Sequence, residues 1–509
     1  MELLTERYTN GIAGELSCFD RLLIVGTLPK ACFAGGMTSI LYSQKVKIFD
    51  YPKWAMEFTQ MVRSTAEAIS KASKVDFEFV RSHHVRKEDL VQAVLDRRGH
   101  HPGLVHILTA MEGCQTFRPW HDKATHKTSL KPETSKCLHY YYYFIDEELG
   151  LFHVRVPSYP PFKLQVCLNG HNLLARQMDK AGIGYTMSDN AFIRVDDWAK
   201  AQELADTLPV ERLHKTIDSY VSVLLPTACM FGQQYHWSIQ QAELSHDIVF
   251  KRQDTLKPIY EGLVSTAIHV VKPENIATFL GRKLHGNFKG EVGNRYNIRI
   301  EGSRISHRMD CNSIKMYDKH GQILRIETTT NDISYFQHYR TVEHKDGTSE
   351  VKFANMRKTI YSMGALRECL AASNRTSGHH MLPIRHMLFS QIEDRSHGQK
   401  RLEKVTRSVE ENGRKYKGFN IFDQDDQRTL MAAIRGEFNI YGFRSRDLAK
   451  QIPDKTPSQI SRILKCLKLH HLIKRAGKTF KYYLTTLGKA VILNAQKIKE
   501  MVLIPQLSY

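Results

Sequence analysis

The chain has 509 residues, of which 42% are hydrophobic and 25% are charged, and this composition excludes an intrinsically disordered protein. Lysine and arginine number 73 against 53 aspartates and glutamates, which gives a formal net charge of +20. A balance this basic favours a polyanionic partner, most simply nucleic acid, and a solvated basic surface is the alternative.

The N-terminus is polar, without the apolar segment of a signal peptide, and no apolar run approaches the roughly 18 residues of a membrane span. The nine cysteines are scattered, and no two have Cys-x-x-Cys spacing, which indicates reduced thiols rather than a zinc knuckle. We therefore expect a cytoplasmic bacterial protein with no membrane partner. Nothing in the sequence indicates its oligomeric state.

Residues 1–208 alternate strand and helix patterns, which predicts an α/β or α+β domain. The segments "DRLLIVGTL" and "GLVHILTAM" are typical of strands, and "YPKWAMEFTQMVRSTAEAISKAS" and "RKEDLVQAVLDRR" are typical of helices. "CLHYYYYFID" and "LFHVRVPS" predict a hairpin, and "FKLQVCLNG" predicts a strand that runs into the helix "HNLLARQMDKAG".

Residues 209–285 have a helical pattern in which "YHWSIQQAELSHDIVFK" places Glu243 and Asp247 one turn apart. Residues 286–375 predict an antiparallel sheet followed by helices, residues 376–420 a basic linker, and residues 421–509 a winged-helix domain. The predicted fold class is thus a multidomain α/β (α+β) chain.

The segments "RISHRM", "SIKMYDK" and "QILRIETT" predict three antiparallel strands with a short hairpin loop that ends at Gly321. Alternation places apolar side chains on one face of the sheet. On the other face it places the polar platform, which we define as Lys315, Tyr317, Arg325 and Glu327. These side chains could form cross-strand charge pairs on a solvated face. Alternatively, Glu327 could hold Mg²⁺ or Mn²⁺ while Lys315 and Arg325 face phosphates.

The Tyr-Asp-Lys, loop, Leu-Arg-Ile-Glu arrangement of this segment resembles part of some rolling-circle replication initiators, in which a tyrosine attacks a DNA phosphate beside a metal ion. "YFQHY" offers Tyr335 and Tyr339, which one helix would project from the same face. The resemblance implies that these tyrosines are nucleophiles, and the alternative is an aromatic pair packed on the sheet. The initiators bind metal through His-hydrophobic-His, which is absent here, so Glu243 and Asp247 would have to replace it. A solvated helix face is the alternative for that acidic pair.

The C-terminal segment reads as helix, turn, helix and a two-stranded wing. Thr456 suits an N-cap, Pro457 the first helical position and Gln459 a capping box. One helix face is an apolar stripe, and the other carries candidate DNA-contacting side chains, namely Ser458, Gln459, Ser461, Arg462 and Lys465. The wing adds candidate phosphate contacts, namely Lys474, Arg475, Lys478 and Lys481.

This segment resembles the winged helices of bacterial MarR-type regulators, including Leu-Thr-x-x-Gly after the second wing strand. The whole chain resembles a widespread group of bacterial proteins often labelled regulators because of that tail, through "CLHYYYYFIDEELGLFHVRVP", "GIGYTMSDNAF" and "IKMYDKHGQILRIETTTND". We therefore expect a nucleic-acid-binding protein of mobile-element type, with DNA as the first partner and RNA as the second. A metal-dependent nicking and joining enzyme that uses tyrosine is one hypothesis. A non-enzymatic transcription regulator or structured-RNA partner, and a small-ligand-sensing regulator, are the others.

Overall fold

An eleven-stranded sheet takes its strands from both sides of the predicted helical segment. The structure is a computed structural model, and the residues it describes are 4–82, 84–207, 209–269, 271, 273–282, 290–299, 302–344, 346–381, 402–477 and 479–499. The strands in these ranges are β1 Ile12–Thr27, β2 Phe77–Phe79, β3 Gly103–Asp122, β4 Lys127–Asp146, β5 Gly150–Pro157, β6 Leu164–Leu168, β7 Tyr185–Ser188, β8 Ala191–Val195, β9 His236–Phe250, β10 Val292–Arg299, β11 Gly302–Met309, β12 Asn312–Lys319, β13 Ile323–Thr330, β14 Gln337–Glu343, β15 Ser349–Asn355, β16 Val409–Glu411, β17 Arg414–Tyr416, β18 Ile473–Arg475 and β19 Tyr482–Leu484.

The strand order in the large sheet is β10-β11-β12-β13-β9-β1-β6-β5-β4-β3-β2, and every neighbouring pair is antiparallel except β2 and β3. The helices are α1 Leu4–Arg7, α2 Ala34–Ser43, α3 Tyr51–Ser73, α4 Lys87–Arg98, α5 Gly170–Ala181, α6 Trp198–Asp206, α7 Val210–Leu224, α8 Gln253–His269, α9 Pro273–Phe279, α10 Met363–Met381, α11 Gln424–Ala433, α12 Gly436–Tyr441, α13 Ser445–Gln451, α14 Pro457–Leu469 and α15 Thr486–Ile498. This mixture of helices and several sheets confirms the predicted α+β class at the coarse level.

The two faces of the large sheet are covered differently. One face packs its apolar side chains against α2, α3 and α7 to α10, forming a core cluster that extends from Leu4 to Ala371. The other face is covered by α5, α6 and the β7–β8 hairpin over β1, and by α4 over β3 and β4. The polar platform lies on this second face, since its residues alternate with core residues such as Ile314 and Met316.

Helix α3 has the bounds that the sequence predicts, Tyr51–Ser73. Its buried side chains recur every three or four residues, so one continuous stripe faces the sheet. The helix ends where Lys74 adopts a left-handed conformation with φ of 53°. The predicted hairpin of β4 and β5 is also present, with Asp146 paired to Gly150 at its end.

The predicted helix over "YHWSIQQAELSHDIVFK" is wrong, because this segment is strand β9. Pairing with β1 skips Gln240, which is the extra residue of a bulge. The bulge shifts the in-out alternation by one residue, so that acidic and apolar positions fall at spacings that resemble those of a helix. Glu243 and Asp247 nevertheless project from one face, because residues at even spacing on a strand share a face.

The predicted division at residues 208/209 and 285/286 does not separate two cores. Strand β9 pairs with β1 on one side and with β13 on the other, so residues 1–208 and 286–375 contribute to one sheet. The predicted basic linker, residues 376–420, also differs, since Val405 and Phe419 belong to the C-terminal core cluster that reaches Ile492. Residues 382–401 lie outside the described ranges. None of the helices within those ranges has the length and apolar content needed to cross a membrane.

Candidate functional site

The predicted three-stranded antiparallel arrangement around the polar platform is confirmed. Strands β11, β12 and β13 are antiparallel neighbours, Lys315 pairs with Glu327, and Tyr317 pairs with Arg325. The hairpin loop ends with Gly321 at φ of 70°, the left-handed conformation expected there. The four platform side chains therefore share one face of the sheet, as the alternation predicts.

Glu327 uses both carboxylate oxygens within the platform. The Lys315 ammonium donates to Oε1 at 2.6 Å, and the Tyr317 hydroxyl donates to Oε2 at 2.8 Å. Thr329 adds a longer contact of 3.4 Å to Oε1. The Glu327 side chain is 5% exposed, so these protein groups satisfy it instead of water.

Glu243 approaches the same ammonium from strand β9. Its Oε1 lies 3.7 Å from the Lys315 Nζ and accepts a hydrogen bond from Thr329 at 3.3 Å. Burial and the nearby charge of Glu327 raise the pKa of Glu243, and Lys315 opposes this shift. Lys315 thus stands between two carboxylates, in the position that a divalent cation would need in order to bridge them. In the structure Glu243 and Glu327 are thus paired with Lys315, and their predicted metal role stays a prediction.

Arg325 does not face a phosphate-sized ligand, contrary to the prediction, because its side chain is 0% exposed. Its Nε and Nη2 donate to the two oxygens of Asp247, each at 2.6 Å, and Nη2 also donates to the Asn190 backbone carbonyl at 2.6 Å. Burial opposes the charged form, but attraction to Asp247 and Asp20 raises the pKa of Arg325 well above its usual value. Both carboxylate oxygens of Asp247, which the sequence predicts as a metal ligand, accept hydrogen bonds in this bidentate pair.

Sequence reasoning missed three residues that complete the buried part of the site. Asp20 is the extra residue of a bulge in β1, which turns its carboxylate toward Arg325 at 3.6 Å. His171 lies in the first turn of α5, with Nδ1 3.2 Å from Asp20 Oδ1. Asn190, in the β7–β8 turn, donates to Asp20 and accepts from Lys319. We call Asp20, His171, Asn190, Asp247 and Arg325 the buried charge network.

Local backbone features hold this network in place. The Asn169 side chain caps helix α5 by accepting from the backbone N–H groups of His171 and Asn172. Gly170 packs so closely on strand β1 that a Cβ there would lie 2.2 Å from the Phe19 carbonyl oxygen. These contacts set the position of His171 above the bulge. A signal was available in the sequence, since "LNGH" places a capping asparagine and a glycine directly before the histidine.

The predicted helix carrying the two tyrosines is wrong. Tyr335 ends a short 3-10 helix, and Tyr339 lies in strand β14. The Tyr335 hydroxyl donates to Met309 Sδ at 2.8 Å, on the core face of the sheet, and burial raises its pKa to about 12. Tyr339 is 75% exposed, with its ring packed 5.3 Å from that of Phe353. Tyr335 therefore lies on the face opposite Glu327, and Tyr339 belongs to the separate two-stranded sheet of β14 and β15.

Within the described ranges, no group of three or more His, Cys, Asp and Glu side chains is arranged to hold a metal ion. The polar platform and the buried charge network join neighbouring strands through paired charges. They do not present an open pair of carboxylates to a ligand, because Lys315 and Arg325 already neutralise them.

The C-terminal helix α14 has the predicted cap and the predicted stripe. Thr456 and Gln459 form the capping box, and Ile460, Leu464 and Leu467 are buried. The opposite side of the helix is exposed at Ser458, Gln459, Ser461 and Arg462. The side-chain Oε1 of Gln459 accepts a hydrogen bond from the Thr456 backbone N–H, so part of this side chain is used in capping. Lys465 is half-buried and pairs with Glu411 of the β16–β17 hairpin at 2.5 Å.

The predicted wing is a hairpin in which Ile473 pairs with Leu484 and Arg475 pairs with Tyr482. Lys474 and Arg475 are exposed, and Lys481 is half-buried. The Arg475 guanidinium lies over the Phe480 ring, 4.9 Å from its centre. Lys478 lies outside the described residues.

Comparisons with protein-family models, with curated proteins and with solved structures gave no match for this chain. The resemblances to MarR-type regulators and to replication initiators therefore stay predictions.

Proposed function

We propose that the chain is a nucleic-acid-binding protein of mobile-element type whose C-terminal unit, residues 402–499, is a winged helix that docks on DNA. The observation that carries the proposal is the exposed side of α14, opposite its buried stripe. It presents two serine hydroxyls and the Arg462 guanidinium, which are the donors that read base edges and phosphates in a major groove.

The distribution of charge supports the same surface. Residues 402–499 contain 21 lysines and arginines against nine aspartates and glutamates, an excess of 12 within a chain whose formal charge is +20. More than half of the excess therefore lies in about a fifth of the length. Such a concentration attracts phosphates and releases their counterions on binding.

DNA is the proposed partner because of the shape of the element. A single helix fits the major groove of B-form DNA, whereas the major groove of A-form RNA is too deep and narrow for side chains to read. The exposed cations at Lys474 and Arg475 follow α14 directly in the chain, where a wing would contact the backbone beside the groove. RNA binding remains the competing outcome of the experiment below.

Binding without strand cleavage is the form of the proposal that the geometry supports best. Tyr335 lies on the face opposite the polar platform, Tyr339 belongs to a separate two-stranded sheet, and Glu327 is held by Lys315 and Tyr317. A transcription regulator or a replication accessory protein would require only the contacts of the C-terminal unit.

The test compares two single variants of the full-length protein. Random-sequence libraries of duplex DNA and of RNA are each enriched on the wild type, and the bound sequences are read. Arg462→Ala should relax preference by about 1–3 kcal/mol at one base position, since the guanidinium contacts a base edge. Lys474→Ala should weaken binding to all sequences evenly, and it should reduce the dependence of the affinity on salt concentration.

Lys257→Ala is the matched control, because Lys257 is exposed on helix α8, which packs on the large sheet. It should change neither preference nor salt dependence. If Arg462→Ala and Lys474→Ala bind every probe as the wild type does, the proposed recognition surface is wrong. If the wild type enriches RNA sequences only, the partner is RNA and not DNA.

A further inference from the structure

We propose that the end of the β3–β4 hairpin, residues 111–138, which we call the arm, is a second DNA-binding element that lies along a groove of the duplex. The proposal rests on the nucleic-acid-binding function above, but it concerns a different part of the chain. The arm contributes no residue to the polar platform, to the buried charge network or to the C-terminal unit.

The arm extends beyond the rest of the sheet. Strand β5 pairs with β4 only from His139 onward, and β2 pairs with β3 only from Ile107 to Thr109. Among the described strands, the two halves of the arm therefore hydrogen-bond only to each other. The six residues of β3 from Phe117 to Asp122 span about 20 Å of extended chain. This length exceeds the width of the DNA major groove, which is about 12 Å.

The arm is braced at its middle. Phe117 and Leu130 are buried, and the Tyr51 hydroxyl lies 3.0 Å from that of Thr116. The Tyr51 and Phe117 rings also meet edge to face at 6.2 Å. These contacts anchor the arm to the start of helix α3. We call the part of the arm beyond Phe117, residues 118–133, the outer half. It can present its side chains to a ligand without the entropy cost of ordering a free hairpin.

The outer half carries cations on a fixed frame. Arg118 and Lys131 are cross-strand partners, and Trp120 lies on the same side of the hairpin. The Lys131 ammonium is 3.9 Å from the centre of the indole ring, and the Arg118 guanidinium is 5.3 Å from it. Cation–π attraction thus holds two positive groups together on one face. Lys123 and Lys127 add exposed charge at the tip.

The acidic residues of the outer half are already engaged. Asp122 accepts from the Ala124 backbone and the Thr125 hydroxyl within the tip turn, each at 2.9 Å. Glu133 lies 4.0 Å from Arg118. The lysines of the tip therefore determine the charge that an approaching molecule meets.

Duplex DNA is the occupant that fits these features. The major groove admits a two-stranded β ribbon as well as a helix, and phosphates line both of its edges. A single strand would need an open aromatic face for stacking, but Lys131 covers the indole of Trp120. The arm is thus equipped to contact backbone phosphates rather than to stack unpaired bases.

The test uses the full-length protein with Lys123, Lys127 and Lys131 all changed to alanine. The control variant changes Lys200, Lys215 and Lys257 to alanine, three exposed lysines on helices α6, α7 and α8, so that both variants lose the same charge. Affinity for a 40-base-pair DNA duplex is measured across a range of salt concentrations. Single-stranded DNA and an RNA duplex of the same sequence serve as the other probes. Unfolding temperatures are compared so that a folding defect is recognised.

We expect the arm variant to bind duplex DNA about tenfold more weakly than the control variant. The magnitude of the slope of log affinity against log salt should fall by about 2–3, because binding releases fewer counterions when fewer phosphates are neutralised. An arm variant that matches the control in affinity and slope overturns the proposal. So does a loss confined to single-stranded DNA or to RNA.

The outcome is separable from that of the proposed function. If the arm variant loses duplex binding while Arg462→Ala and Lys474→Ala bind as the wild type does, the arm proposal stands and the proposed C-terminal surface is rejected. The reverse pattern would reject the arm alone. A wild type that binds none of the three probes would reject both.

Discussion

Lys315 and Glu327 face each other across neighbouring strands, with the Lys315 Nζ 2.6 Å from the Glu327 Oε1, and the Glu243 carboxylate meets the same ammonium at 3.7 Å. One lysine therefore compensates two carboxylates that belong to the central strands β9 and β13. This arrangement explains why a face rich in charged residues can be enclosed within the sheet layers.

We expect Lys315→Met to lower the free energy of unfolding by about 3 kcal/mol at pH 7, because it leaves two neighbouring carboxylates without a counter-charge. The pKa of Glu243 is already raised and should rise further. The folded state then binds a proton more tightly than the unfolded state does, so stability falls as pH rises above about 4.5. Urea unfolding at pH 5 and at pH 8 measures this difference.

The control for that variant is Lys358→Met. It removes an ion pair with Asp332 of 3.0 Å whose lysine is 54% exposed, and it should cost less than about 1 kcal/mol. The double variant Lys315→Met/Glu327→Gln should lose less than the sum of the two single changes. Additive losses would show that Lys315 and Glu327 do not interact in solution.

Arg325→Met should be more damaging, by about 3–5 kcal/mol, because Asp247 is then buried without a partner. Replacing both members, as Arg325→Met/Asp247→Leu, should recover part of the loss, since no unpaired charge then remains at Asp247. Unfolding followed by tryptophan fluorescence gives both values. A double variant less stable than Arg325→Met would contradict this account of the pair.

The pH dependence of stability in acid should come partly from Asp20. Burial would raise its pKa, but the hydrogen bond with His171 and the attraction of Arg325 hold it at about 2. Because the unfolded state binds the proton more readily, stability is lost as pH falls from about 4 toward 2. Asp20→Asn should remove about 2 kcal/mol at pH 6 and flatten the profile between pH 4 and pH 2. A variant profile parallel to that of the wild type would mean that Asp20 titrates normally.

The tyrosine hypothesis has a direct test. Incubation of the wild type with labelled single-stranded and duplex DNA and Mg²⁺ or Mn²⁺ should give no covalent adduct on denaturing gels. Tyr335 is engaged with Met309 on the face opposite Glu327, and Tyr339 lies in the two-stranded sheet of β14 and β15, not in the sheet that carries Glu327. An adduct that Tyr339→Phe abolishes, while Tyr361→Phe retains it, would restore a nicking function, since Tyr361 is also exposed.

Local patterns predicted much of this structure. The bounds of α3, the alternation of β12 and β13 and the capping box of α14 depend on residues close in sequence, and all three are as expected. Strand β9 was mistaken for a helix because the bulge at Gln240 breaks the alternation that would identify a strand. The helix predicted over "YFQHY" is wrong because the chain passes from a 3-10 helix into strand β14 at Phe336, and the spacing of the two tyrosines does not indicate this change.

The buried charge network could not be predicted in the same way. Asp20 and Arg325 are 305 positions apart, and they meet only because β9 lies between their strands. The sequence showed Arg325 on a polar face, but not that α5 and the β7–β8 turn close over it. Whether a polar face is open or enclosed depends on these later elements, which alternation alone does not locate.

The central place of β9 also determines the order in which the chain can fold during synthesis. Until residue 250 has left the ribosome, β1 has β6 on one side and an open edge on the other. That edge is 16 residues long and includes Leu16, Leu22 and Ile24, which the finished protein buries. Fragments that end before His236 therefore carry an unprotected apolar strand edge and should aggregate. The nascent N-terminal half depends on a strand that is translated more than two hundred residues after β1.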